Sequence, residues 1–295
     1  MANNYRNYIP PLILAMRPYQ WIKGVFIVLP MIFGQKLFDR QAFWTTTAAF
    51  FLFGLIASSI YLINDVIDIN EDREHPEKKY RPVASGKVKP AHALITSGIL
   101  LILVIPTAFY IDWQVGCVLI SYLILNLFYL FYLKHAVIID VFCLGAFFYL
   151  RLLAGGFASN VELSNWIIMT TVLLALFLGF NKRKNDLEHS NKTRPVFSKY
   201  SEYFIDRMIT IISSALVICY SLYVLDPVTI ERFHTENFIY SIPFVYYGIF
   251  RYIYLIDTKW FGGDPARIIL GDYKIQLAMI LWICYCGSLI YFNSI

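Results

Sequence analysis

Asp65, Asp68 and Asp72 stand at i, i+3 and i+7 in a polar stretch, residues 64–86, that follows more than twenty uncharged, aromatic-rich residues. On helical spacing the three carboxylates share one face, within an arc of about 60°. Like charges so placed repel, and the i,i+4 pair Asp68–Asp72 is destabilising on its own. Something positive has to offset that cost. Mg²⁺ suits the task, because it keeps several waters and takes one or two protein carboxylates plus the phosphates of a substrate. The three aspartates are the expected catalytic and metal-binding residues.

Two more polar segments interrupt an otherwise apolar chain. One is Asn181-Lys182-Arg183-Lys184-Asn185-Asp186-Leu187-Glu188, and the other runs from Gly262-Gly263-Asp264-Pro265 through Leu270 to Asp272. Together with the acidic stretch they are expected to roof a pocket that is polar above and apolar below. Such a pocket would take an amphipathic substrate with a phosphorylated head and a long tail. Plain readings stand beside these. Lys182-Arg183-Lys184 alone would mark topology, Gly262-Gly263 alone is a turn, and His75 is expected to be a hydrogen-bonded loop histidine. Most of the aromatic residues are expected to be packing and interface residues.

The elements that must position these groups are membrane spans. The chain has 295 residues, 58% of them hydrophobic and 15% charged, with a mean hydropathy of +0.57. That lies outside the usual composition of a soluble domain. A spanning helix needs roughly 20 apolar residues, and nine such stretches are legible: 19–36, 42–64, 91–111, 113–133, 136–157, 164–181, 204–225, 237–256 and 274–293. Lys23 and Pro30 interrupt the first, where Pro30 is expected to kink the helix without ending it. Pro10, Pro11 and Arg17-Pro18 break the place where a cleavable signal's apolar core would lie. Cys117, Cys143, Cys219, Cys284 and Cys286 fall inside apolar segments without zinc-site spacing and are expected to be packing residues. Asp140 and Arg151 are the charges most plainly inside a span. They could pair with one another, about three turns apart on a common helix.

The basic residues collect in alternate loops, at 65–90, 133–135, 182–202 and 257–273, while the opposite loops carry little beyond Lys36, Arg40 and Arg232. The positive-inside rule then places the N-terminus in the cytoplasm and the C-terminus outside. The net charge of +5 is concentrated on the side where anionic phosphates would be drawn.

Asn64-Asp65-x-x-Asp68-x-x-x-Asp72 resembles the first aspartate-rich motif of the UbiA superfamily of intramembrane prenyltransferases. The match looks closest to the decaprenyl-phosphate phosphoribosyltransferase branch. It covers nearly the whole chain, through Arg17-Pro18-Tyr19-Gln20-Trp21-Ile22-Lys23, Asp72-Arg73-Glu74-His75-Pro76 and Arg81-Pro82-x-Ala84-Ser85-Gly86. It continues with Leu133-Lys134-His135, Asp140, Lys182-Arg183 and Gly262-Gly263-x-Pro265. The resemblance implies an all-α integral membrane protein, a nine-helix UbiA-like bundle with a cytoplasmic polar cap over a central cavity, as one domain over 1–295. Quinone, haem and chlorophyll prenyltransferases usually carry a second Asp-x-x-x-Asp motif in the second stretch. Here Lys182 and Arg183 precede Asp186, and the residue four further on is Ser190. The phosphoribosyltransferase branch typically has Glu where Asp186 stands.

The activity implied is Mg²⁺-dependent transfer of 5-phosphoribose from phosphoribosyl diphosphate to a polyprenyl phosphate, with release of diphosphate, for cell-envelope biosynthesis. Asp65, Asp68 and Asp72, with Asn64 in support, would hold Mg²⁺ on the leaving group. Lys78, Arg81, Lys134, Lys182 and Arg183 would position phosphates, and Lys23, Tyr129 and Asp186 complete the substrate-binding set. The expected location is the inner (plasma) membrane, multi-pass, with the site facing the cytoplasm. Membrane lipid is an expected partner, nucleic acid is not, and a homo-oligomer is compatible with the sequence. Two rivals are an ordinary prenyltransferase acting on an aromatic or quinone precursor, and a transporter. Transporter sites usually lie near the midplane on interrupted helices, whereas these acids lie at a helix end.

Overall fold

The computed structural model describes residues 10–189, 200–258 and 265–292. Among them the regular structure is helical throughout. Among the described residues nine helical segments are long and apolar enough to cross a membrane: Pro11–Phe33, Arg40–Ile67, Pro90–Ile111, Trp113–Phe131, Ile139–Ser159, Asn165–Asn185, Glu202–Leu225, Asn237–Asp257 and Tyr273–Tyr291. Each overlaps its expected counterpart. The protein is a multi-pass membrane protein.

The first span differs most from expectation. Pro30 sits inside α2 (Val25–Phe33) without ending it. The interruption falls earlier, at Arg17, which divides α1 (Pro11–Met16) from a 3₁₀ segment, Pro18–Gly24. Pro18 has no N–H to give a continuing helix, and it disfavours the right-handed helical conformation at the residue before it. Arg17 adopts φ 54°, ψ 54°, left-handed rather than the extended conformation usual before proline.

The chain divides into two compact units, Met1–Lys134 with Phe147–Leu163, and His135–Ala146 with Ser164–Ile295. In the first, α3 (Arg40–Ile67) packs against α1, α2, α5 (Pro90–Ile111) and α6 (Trp113–Phe131). Asp39 starts α3 by accepting from the Gln41 and Ala42 N–H groups at 3.0 and 3.1 Å. Its carboxyl is held below the usual range chiefly by the Ala42 bond, as a charged N-cap should be. Phe53, Ile56 and Leu62 of α3 are fully enclosed with Ile27, Leu119 and Leu152. Small residues let backbones approach within a membrane. Gly155 shows this, because a Cβ there would lie 2.1 Å from the Ile27 carbonyl oxygen. Ser59 and Ser97 add a 2.7 Å hydroxyl contact between α3 and α5. On α5, Ile95, Ile99, Ile102 and Leu103 are exposed at helical spacing, a face suited to hydrocarbon rather than water.

In the second unit α8 (Asn165–His189) packs along α9 (Glu202–Leu225), and α11 (Ile242–Asp257) along α13 (Tyr273–Phe292). Its core joins Val141, Phe177, Phe180, Ile205, Leu255 and Ile268. The helix α7 (Ile139–Ser159) supplies its first residues, Asp140 among them, to this unit.

Candidate active site

Helix α3 ends at Ile67, and Asp68 (φ −89°, ψ 13°) links it to a short α4, Ile69–Glu74. The acidic stretch therefore lies on two helices joined at Asp68, not on the one continuous helix its spacing suggested. The hydrogen bonds nearly continue across the joint, from Asp68 N–H to Asn64 O at 2.9 Å and from Asp72 N–H to Asp68 O at 2.8 Å. That continuity keeps the three carboxylates on the inner side, with exposures of 1, 3 and 2% for Asp65, Asp68 and Asp72.

Uncompensated, three buried carboxylates would each cost several kcal/mol. Basic side chains meet them. Arg17 Nη2 donates to Asp65 Oδ1. Arg81 Nη1 donates to Asp72 Oδ2 at 2.6 Å and lies 3.4 Å from Asp65 Oδ1. Lys134 Nζ donates to Asp68 Oδ1 at 2.8 Å.

Local sequence explains how each cation is delivered. Arg81 precedes a turn anchored by Val83 and Val88, which pack with Ala15, Leu62 and Ala93. The Ser85 N–H closes back on Arg81 O at 2.8 Å and the Val88 N–H on Pro82 O at 2.9 Å. Gly86 takes φ 78° there, a region glycine enters without a Cβ penalty. Arg73 Nε ties the same turn to α4 through Ala84 O at 3.2 Å. Lys134 sits in a single 3₁₀ turn, Leu133–His135, just past α6. Arg17 reaches Asp65 from its left-handed joint, a conformation that costs a non-glycine residue roughly 1–2 kcal/mol. Its guanidinium also lies over the Tyr61 ring, 4.8 Å from the centroid. His75 is the loop histidine expected: Nδ1 accepts from the Glu77 and Lys78 N–H groups at 3.2 and 3.3 Å. Burial first, then the charges of Lys78 and Arg81, push its pKa down.

Among the described residues no three His, Cys, Asp or Glu side chains converge as a ready metal-ligand set. The donor chemistry nevertheless fits a hard divalent cation. The available atoms are carboxylate oxygens, and Asp65 Oδ2 is buried with no hydrogen-bond partner among the described residues. A buried orphan of that kind calls for a ligand.

The second polar stretch is also built on charge pairing. Lys182 is exposed, whereas Arg183 is buried. Arg183 Nε donates to Asp140 Oδ2 at 2.7 Å, the Tyr200 hydroxyl donates to Asp140 Oδ1 at 2.7 Å, and the Ile138 N–H donates to the Tyr200 oxygen at 2.6 Å. Burial, followed by the bond to Asp140, raises the Tyr200 pKa well above the usual phenol value. Asp140 therefore pairs with Arg183, not with Arg151. Eleven residues of helix separate Asp140 and Arg151 by about 16 Å, beyond the reach of a direct pair. Arg151 instead donates to Tyr122 Oη at 2.7 Å and Phe147 O at 2.9 Å, and lies over the Phe53 and Tyr122 rings. Lys184 bridges Asp206 and Asp257 at 2.8 and 2.7 Å.

The remaining expected residues are more scattered. Asn64, Lys23 and Lys78 are half-buried in the first unit. Tyr129 meets Phe147 edge-on, with centroids 5.7 Å apart. Asp186 belongs to α8, but its side chain lies outside the described residues, as do Gly262, Gly263 and Asp264.

The model of the UbiA prenyltransferase family matches residues 25–288. The chain belongs to that family. A decaprenyl-phosphate phosphoribosyltransferase of Mycolicibacterium smegmatis is 30% identical, over 98% of this chain and 95% of its own. One from Corynebacterium glutamicum is 31% identical over 94% and 86%. Among solved structures, a UbiA homologue from Archaeoglobus fulgidus bound to DMAPP and Mg²⁺ shares the fold, with a TM-score of 0.72 over 95% of this chain and 98% of that one at 19% identity.

Three residues of the two charge clusters, one cluster in each unit, escape sequence reading. Arg17 is visible only as part of a motif, since its ion pair joins positions 48 residues apart. Tyr61 reads as one aromatic among many. Tyr200 lies 60 residues from the Asp140 it serves. The one local signal is the Arg17-Pro18 pair, which marks a joint ahead of the apolar run.

Proposed function

We propose that this protein transfers 5-phosphoribose from phosphoribosyl diphosphate to a polyprenyl phosphate and releases diphosphate. The observation that carries the reading is the buried cluster of Asp65, Asp68 and Asp72 held by Arg17, Arg81 and Lys134. It offers oxygen donors for a divalent cation beside cations suited to phosphate, with Arg as a planar fork and Lys as a point charge. The names of the relatives at 30 and 31% identity support the choice of substrates.

Asp65, Asp68 and Asp72, with Asn64 in support, would hold Mg²⁺, which supplies charge neutralisation to the departing diphosphate. Arg81, Lys134 and Lys78 would bind phosphate oxygens in the first unit, with Lys23 and Tyr129 beside the substrates. Lys182, Arg183 and Asp186 are the residues proposed for the second. The ribosyl C1–O bond to diphosphate breaks as the acceptor's phosphate oxygen bonds to C1. That oxygen is already anionic, so no general base is required. The work is positioning and preorganised charge. The site faces the cytoplasm, the location is the inner membrane, and residues 1–295 act as one UbiA-like domain.

Prenyl transfer to an aromatic acceptor is the second reading. The presence of Lys182-Arg183, with Ser190 rather than an acid four residues after Asp186, disfavours it. Purified protein with Mg²⁺, polyprenyl phosphate and labelled phosphoribosyl diphosphate should give a lipid-soluble labelled product. Turnover seen only with a prenyl diphosphate and an aromatic acceptor would reverse the assignment.

A further inference from the structure

Arg17 occupies an unusual place in the cluster. Its side chain keeps 15% exposure, whereas that of Asp65 keeps 1%. The arginine is open on one side; the aspartate is enclosed. Arg81 is shared between Asp65 and Asp72, so release from one leaves it on the other. Arg17 has Asp65 as its one carboxylate partner among the described residues. It stands at the joint between α1 and the 3₁₀ segment, in the left-handed region at φ 54°, a conformation that clusters at switch and ligand-clamp positions. The Tyr61 ring gives its guanidinium a second surface to rest on. The other oxygen of Asp65 has no hydrogen bond among the described residues.

The charge balance of the cluster limits what can bind there. The three carboxylates are matched by Arg17, Arg81 and Lys134. A divalent cation arriving alone would leave two surplus positive charges in a poorly solvated place, where repulsion is strong. A polyanion arriving with it removes the surplus.

We propose that Arg17 is a displaceable counter-ion: it occupies Asp65 until a divalent cation takes that carboxylate, then gives its charge to the diphosphate the cation carries. This rests on the active-site reading above. Cation and diphosphate then bind as a coupled pair, each strengthening the other by linkage.

Mn²⁺ binding to the full chain in detergent, followed by electron paramagnetic resonance with and without inorganic pyrophosphate, tests this without turnover. Wild type should bind Mn²⁺ weakly alone and at least about fivefold more tightly with saturating pyrophosphate. Arg17→Gln should bind Mn²⁺ alone several-fold more tightly than wild type and gain less from pyrophosphate. Arg17→Met, which keeps an aliphatic stem against Tyr61, is a second uncharged variant if the first does not remain monodisperse. Monodisperse variants that bind Mn²⁺ alone no more tightly than wild type would overturn the counter-ion role and leave the metal site standing. Wild type that binds no Mn²⁺ under either condition would overturn both.

Discussion

Arg183 and Asp140 form an ion pair that is almost fully enclosed, with Nε and Oδ2 2.7 Å apart and side-chain exposures of 6 and 0%. The pair joins the second residue of α7 to the C-terminal part of α8. Tyr200 satisfies the other carboxylate oxygen from just ahead of α9. A cation proposed for substrate binding thus also holds three segments of its unit together.

Removing the acid should therefore destabilise the protein. Asp140→Ala takes away the carboxylate 2.7 Å from a buried guanidinium, and breaking a buried pair on one side costs about 3–5 kcal/mol in comparable cases. Tyr200→Phe removes one hydrogen bond at each of two partners and should cost about 1–3 kcal/mol. Thermal unfolding in detergent, compared across the two variants, checks the order. An Asp140→Ala protein as stable as wild type would mean that the pair contributes nothing to folding.

Lys182 is the cleaner probe of the same stretch. It is exposed, so Lys182→Ala should leave the melting temperature within about 1 °C, as surface changes usually do. Its apparent KM for one phosphorylated substrate should rise several-fold. Arg183→Ala should raise KM and lower stability together. No KM change for either substrate in Lys182→Ala would take this stretch out of the site.

The spans and the acidic motif are legible in the sequence because both are local signals. Runs of about 20 apolar residues and carboxylates at i, i+3 and i+7 are visible without tertiary structure. The partners of those carboxylates are legible only in part. The sequence points Arg81 and Lys134 at phosphate, but in the folded chain they contact Asp72 and Asp68. Arg17 draws no role of its own because nothing local links it to Asp65. Asp140 and Arg151 look like a pair because they share a span, whereas the closer charge comes from α8. Pairing inside a membrane follows which helices touch, and no periodicity reports that.

Asp272 gives a pH-dependent test outside the spans. It accepts from Arg251 Nη2 at 2.7 Å and caps α13 through the Ile275 N–H at 2.9 Å. The Arg251 bond, opposed by burial and helped by the Ile275 N–H, lowers its pKa. The unfolded chain therefore binds this proton first as pH falls below about 4, and the stabilisation fades through the lower folded pKa. The gap in melting temperature between wild type and Asp272→Asn should be constant from about pH 5 to 8 and shrink below about 4. A gap that widens in acid would contradict the sign of the shift.

Asp68 and Lys134 separate catalysis from stability. Asp68→Ala should abolish turnover while the protein keeps its size-exclusion profile; unchanged turnover would remove the metal-site argument. Lys134→Met leaves a buried carboxylate whose partner at 2.8 Å is gone, so it should destabilise the protein, and Asp68→Asn is the matching single variant on the other side of the pair. The loss in Lys134→Met should exceed that of Asp68→Asn with Lys134→Met, in which both charges of the pair are removed together. A double-mutant cycle should therefore give a coupling of about 1–3 kcal/mol, the range for residues in direct contact. The double variant should stay folded and inactive, since it lacks both an oxygen anion for the cation and an ammonium for phosphate. Additive losses would show that the two groups do not hold one another, and that Lys134 reaches Asp68 without stabilising it.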